Sequence, residues 1–195
     1  MRQEMRNIDT YEIDRLLWLS SPVFKRKREK HMMLHSSAVL VGRETAAQHP
    51  VDSKNITAEL VRFKVNMVYF QHKSNERAYY EPAEKAIYLN APFIAEMAEY
   101  LKSQSVSYFT SEKITEALTL HELFHHIEEN LTQPTDILLK CEHKTFVPPV
   151  YREIAAFAFV NAHMGGMVSQ LIDIYWLKKH HPAKYAEIPM RGMWF

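Results

Sequence analysis

His121-Glu122-Leu123-Phe124-His125 has the residue types and spacing of a metal-assisted hydrolytic site. On a helix, residues four apart share a face with Cβ atoms ~5–6 Å apart, so two imidazoles can reach one ion. Glu122 stands one residue on from His121, about 100° around the axis by ordinary helix geometry. Its carboxylate can then reach a water on the ion without being a ligand. Zinc lowers the pKa of such a water towards ~7, and a carboxylate beside it accepts the proton as the water attacks a carbonyl. The motif thus supplies two ligands, His121 and His125, and a base, Glu122, and it leaves one ligand to find. With 11 histidines and many glutamates in the chain, H-E-x-x-H arises by chance roughly one time in twenty, so its structural context must carry the argument.

The third ligand should be His, Asp or Glu on a later element. The best candidate is Glu153, in the apolar stretch Tyr151-Arg152-Glu153-Ile154-Ala155-Ala156-Phe157. A charge there is costly to bury unless paired or bound to metal. The competing reading is a first-turn acid that faces water and favours the helix dipole. His126 adjoins His125 but points about 100° away, which suits a surface or supporting role. His143, in the loop between the two helices, is a ligand, an oxyanion donor or simply exposed. His163 approaches the cleft only if its helix crosses near the metal. Tyr151 and Tyr175 are candidate carbonyl polarisers, although aromatics in this chain are mostly core.

The elements that position these residues follow from periodicity. Asp9 or Thr10 can cap a short helix carrying Ile13, Leu16 and Leu17, ended by Ser20-Ser21-Pro22. Residues 23–42 follow no clear period. Residues 60–71 alternate apolar and polar, which predicts a strand. Residues 78–81 and 86–90 are two further strands, with Pro82-Ala83-Glu84-Lys85 as a hairpin turn. A helix is expected over 92–102, with Pro92 at its start. A long one, capped by Thr110 or Ser111, follows to 130. Residues 131–149, broken by Pro134, Pro148 and Pro149, read as irregular. Helices over 151–163 and 167–180 follow, with Gly165-Gly166 between them and Pro182 as the stop. Strands first and helices after indicate an α+β fold. Residues 1–59 read as an N-terminal helical extension packing on a core domain of residues 60–195.

Composition narrows the function classes. The chain has 195 residues and a formal net charge of +1, so charge gives no argument for nucleic acid or an anionic membrane. The basic run Lys25–Lys30 is short enough to be a solvated face. Four glycines and no phosphate-loop pattern exclude a nucleotide fingerprint. A single cysteine, Cys141, excludes an intrachain disulfide. No window reaches the ~18 apolar residues of a membrane span, and the first residues lack a signal-peptide core. The expectation is a cytoplasmic protein acting on a peptide or protein, with no nucleic-acid or membrane partner.

H-E-x-x-H followed by a helical Glu resembles the gluzincin group of zinc peptidases. The spacing to Glu153 and its Glu153-x-x-Ala156-Phe157-Ala158 surroundings are most similar to the compact ImmA/IrrE-type metallopeptidases and the minigluzincins. The resemblance covers residues 60–165. It implies a zincin-like fold: a small three-stranded, mainly antiparallel sheet packed on an active-site helix and a ligand-bearing helix. It implies that a strand near Ala86–Asn90 forms the upper edge of the cleft, where a peptide adds as another strand. It also implies His121, His125 and Glu153 as zinc ligands, Glu122 as base, and a hydrolase acting as a protease. Phe124 departs from the pattern, which usually has a small residue before its second His, and no helix-turn-helix partner domain is visible. The alternative is a non-proteolytic zinc-binding interaction or effector protein with a vestigial site. Glu122 argues against it, because a structural site needs no base and would supply a fourth protein ligand. The apolar end, residues 188–195 with Trp194-Phe195, is expected to dock on its own domain or to occupy the cleft.

Overall fold

A computed structural model describes residues 28–72, 76–144, 146–166 and 168–187; the helix expected near residues 10–18 and the tail 188–195 lie outside them. The first element is helix α1 (Arg28–Gln48). Its buried positions, His31, Leu34, His35, Ala38, Val39, Gly42, Thr45 and Ala46, recur at three- and four-residue steps. Two histidines, a threonine and a glycine in that stripe hide it from a reading of apolar residues alone. A single 3-10 turn (Ser53–Asn55) leads to helix α2 (Ile56–Phe63).

The strand expected over 60–71 is corrected here. Ile56, Leu60 and Phe63 lie on one helical face against the core, whereas Val61 is 73% exposed. Lys64, left-handed at φ 58, ends the helix by donating its backbone N–H to Leu60 and Val61. Only then does strand β1 begin (Asn66–Phe70).

Strands β2 (Ala78–Glu81) and β3 (Ala86–Asn90) form the expected hairpin, with Lys85 at φ 48 in its turn. The sheet order is β1-β3-β2, with β3 in the centre. β2 pairs antiparallel with β3, but β1 pairs parallel with it, so the sheet is mixed rather than mainly antiparallel. The hairpin puts β2 on one side of β3, and β1 reaches the other side running the same way as β3.

Asn90 caps helix α3 (Ala91–Ser103), accepting the N–H of Phe93 at 3.0 Å. Thr110 caps helix α4 (Ser111–Asn130) through the N–H of Lys113. Residues 131–149 are not wholly irregular: helix α5 (Thr135–His143) starts directly after Pro134, whose ring suits the entry to a helix and not its interior. Helices α6 (Val150–Met164), α7 (Val168–His180) and α8 (Pro182–Glu187) complete the described chain. This is an α+β architecture.

Helix α4 lies between the sheet and α6, and its fully buried Leu120, Leu123, Phe124 and Ile127 join β3 and α6 in the main core. A second core joins α1, α5 and α6 through Leu34, Ala38, Leu139, Tyr151 and Ile154. α1 and α6 meet at Gly42, where a Cβ would stand 2.1 Å from the carbonyl oxygen of Ala155. No helix among the described residues is long and apolar enough to cross a membrane.

Candidate metal centre

Helix α4 presents His121 and His125 on one face, with ring centroids 5.1 Å apart. The first turn of α6 presents Glu153 to both: Nε2 of His121 lies 3.0 Å from Oε2, and Nε2 of His125 lies 3.5 Å from Oε1. A ligand atom from each of the three can be chosen so that all lie within 4.8 Å of one another. Bonds of ~2.0–2.1 Å at tetrahedral angles separate ligand atoms by about 3.4 Å, so the spacing suits a zinc-sized ion among them. The donor chemistry fits as well: two imidazoles and one carboxylate leave a fourth position for substrate or water. His126 and His143 are not in the group.

One imidazole is oriented from behind. Nδ1 of His125 donates to Oε1 of Glu128 at 3.1 Å, which leaves Nε2 facing Glu153. Glu128 is buried and also accepts from the Thr135 N–H (3.1 Å), the Thr135 hydroxyl (2.9 Å) and Nε of Arg152 (2.5 Å). Arg152 binds Glu129 as well. Burial opposes the charged form of His125, but Glu128 and Glu153 outweigh it and raise the imidazole to about 10. Burial likewise opposes ionisation of Glu153, and His121 and His125 override it, holding the carboxyl well below the usual range. The carboxylates thus favour positive charge on the imidazoles, and the imidazoles favour negative charge on Glu153. Phe124, the bulky departure before His125, is fully buried and packs on Phe159 with centroids 5.5 Å apart, so its side chain leaves the ligand face clear.

Glu122 is 7% exposed and lines the same cleft as His121 and Glu153. Burial raises its pKa, while His121 and His125 oppose the rise and a backbone N–H of Tyr80 also favours the carboxylate. Tyr80 lies on β2, an edge strand, so the rim of the cleft is β2 and not the strand at Ala86–Asn90, which is flanked on both sides. Asn90 N–H donates to Arg77 C=O, so by antiparallel alternation Arg77, Tyr79 and Glu81 face β3, while Ala78 and Tyr80 turn their backbone groups to the free edge. The Tyr80 hydroxyl is fixed by Nδ1 of His126 at 2.8 Å and by Asn130 at 3.1 Å, which ties the rim strand to α4.

The cleft has a volume of about 310 Å³. Its far wall comes from α7, whose Asp173 forms an ion pair with Arg77, just before β2. The Arg77 guanidinium lies 5.0 Å from the Trp176 ring centroid and 5.8 Å from that of Phe93. Burial lowers Arg77 to about 10, with Glu153 acting the other way.

The remaining candidates stand elsewhere. Tyr151 is fully buried with its hydroxyl 2.6 Å from Nδ1 of His31. His143 ends α5 and meets the Ser37 hydroxyl at 3.0 Å. His163 donates Nδ1–H to Phe159 C=O at 2.9 Å. Tyr175 packs edge-on against Tyr100. None of these four lines the cleft. Sequence reasoning did not single out Glu128, Arg152, Arg77, Tyr80 or Asp173. Only Glu128 carried a local signal, an acid three residues after a ligand histidine on the same helix. Compared with protein families, curated proteins and solved structures, the chain matches none.

Proposed function

We propose that the chain is a zinc-dependent metallopeptidase with a zincin-like active site, hydrolysing peptide bonds in a peptide or protein substrate. The observation that carries this reading is the convergence of His121, His125 and Glu153, with the buried Glu122 lining the same cleft as His121 and Glu153. His121, His125 and Glu153 would hold the zinc, which when bound would supply a Lewis acid for the carbonyl and for water. Glu122 takes the proton of the attacking water and can pass it to the departing amine. Its burial helps, because a base with a raised pKa lies nearer the working pH. Glu128 keeps His125 turned towards the ion, and Arg152 and Thr135 keep Glu128 in place. A peptide laid along β2 would find the outward backbone groups of Ala78 as hydrogen-bond partners.

The test is metal content with turnover. Wild type should hold about one zinc per chain, and His125→Ala and Glu153→Ala should lose it. Glu122→Gln should hold zinc as wild type does but fail to hydrolyse a peptide pool that wild type cuts. Wild-type protein that takes up no zinc would overturn the proposal. Zinc uptake with equal turnover by wild type and Glu122→Gln would remove the assigned mechanism.

A further inference from the structure

The cleft is asymmetric along β2. At one end stands the metal cluster, with Glu122 receiving the Tyr80 backbone N–H. At the other, Arg77 and Asp173 pair across the space between the start of β2 and α7. Ala117, Leu118, Phe157 and Ile172 supply apolar lining to the same cleft. Among the described residues that line the cleft, Arg77 is the sole arginine or lysine, and its side chain is 27% exposed there. The guanidinium is half-buried, with the Trp176 and Phe93 ring centroids 5.0 and 5.8 Å away. Its fork suits a carboxylate, and Asp173 already engages Nη1.

Strand direction says which part of a substrate arrives there. Antiparallel pairing is the stronger mode of strand addition. β2 runs from Ala78 to Glu81, so an antiparallel peptide runs from the Glu81 end towards Arg77. Residues after the scissile bond therefore approach Arg77. At ~3.4 Å per residue, Arg77 is about 10 Å along the strand from Tyr80, room for the first two or so of those residues. Resting on the peptidase reading above, the geometry points to Arg77 as a specificity residue that binds a substrate carboxylate one or two residues beyond the scissile bond, behind an apolar side chain. That carboxylate belongs either to a free peptide C-terminus or to an Asp or Glu side chain.

The test uses full-length, zinc-loaded protein, with zinc content measured first. The binding probe is 2-benzylsuccinate, which offers one carboxylate to the metal and one to Arg77 beside a benzyl group, against its mono-amide lacking the second carboxylate. By titration calorimetry, wild type should bind the diacid about tenfold more tightly than the mono-amide, as befits one charge-assisted pair. Arg77→Gln should narrow that gap to about twofold with zinc content unchanged. Asp173→Asn, which frees Nη1, should keep the gap or widen it, and Arg77→Lys should retain part of it. No diacid preference in zinc-loaded wild type, or a gap that survives Arg77→Gln, overturns the inference alone. So does equal collapse in Arg77→Gln and Asp173→Asn, which would make the pair a clamp between β2 and α7 and nothing more. Wild type without zinc overturns the peptidase reading and this inference with it. Cleavage of peptide pools assigns the source: loss on C-terminal amidation marks a free terminus, and loss on exchange of Asp and Glu for Asn and Gln marks a side chain. Cleavage indifferent to both overturns the inference.

Discussion

Helix α6 serves two neighbours with two sets of polar side chains. Towards α4 it turns Glu153 into the company of two histidines; towards α1 it turns Tyr151 into the company of His31. Residue types overlap, for His143 and Ser37 also pair at the α1 seam. The outcomes differ because of what stands between the imidazoles. At the cleft a carboxylate lies between two ring nitrogens, and space opens beside it. At the seam the Tyr151 hydroxyl meets Nδ1 of His31 beside Leu34, Ala38 and Ile154. Two imidazoles flanking a carboxylate beside open space make a candidate metal centre, whereas an imidazole paired with a hydroxyl inside the core is a satisfied core residue.

The contrast makes separable predictions, since cleft substitutions should change chemistry or metal and seam substitutions should change stability. The largest effect is expected for Glu122→Gln, with turnover reduced about 10²- to 10⁴-fold, unchanged zinc by mass spectrometry and an unchanged melting curve. Gly42→Leu should cost roughly 3 kcal/mol or more in urea titration, because the new side chain enters the space held by Ala155 and Ala158. Glu128→Ala should weaken zinc binding about 10- to 100-fold in a chelator competition, by releasing His125 from its orientation. Tyr151→Phe should cost about 1 kcal/mol through loss of the hydroxyl's contact with His31, while zinc affinity stays put. If Tyr151→Phe lost zinc as strongly as Glu128→Ala, the two faces of α6 would not be independent.

The smallest effect concerns pH. Burial lowers the pKa of His163, with the Phe159 carbonyl opposing. The unfolded chain, at ~6.5, therefore takes up the proton first as pH falls, so stability from this residue is intact above ~6.5 and lost below it. A melting-temperature series from pH 7.5 to 5.5 should fall less steeply in His163→Gln than in wild type.

Much of the arrangement was legible in the chain. His121, Glu122 and His125 sit on one predicted helix, Glu153 on another, and the hairpin at 82–85 is where turn chemistry places it. The end of α2 reads as strand because Val61, Phe63 and Val65 satisfy a two-residue period while Ile56, Leu60 and Phe63 satisfy the helical one; core contact decides between them. Helix α1 was hidden by His31, His35 and Gly42 on its buried stripe, and α5 by the prolines around it. Arg77 and Asp173 were invisible because neither has a local partner, and only the meeting of β2 with α7 makes them a pair.

The separation of the ligands also bears on how the chain folds. His121 and His125 come together as soon as α4 closes a single turn, a local event on the sub-microsecond to microsecond scale. Glu153 is 32 residues from His121 and meets it only through the tertiary packing of α6 on α4. Its arrival costs loop-closure entropy that no nearby contact repays in advance. A metal ion that needs all three ligands therefore captures the chain late, and slows unfolding more than it speeds folding.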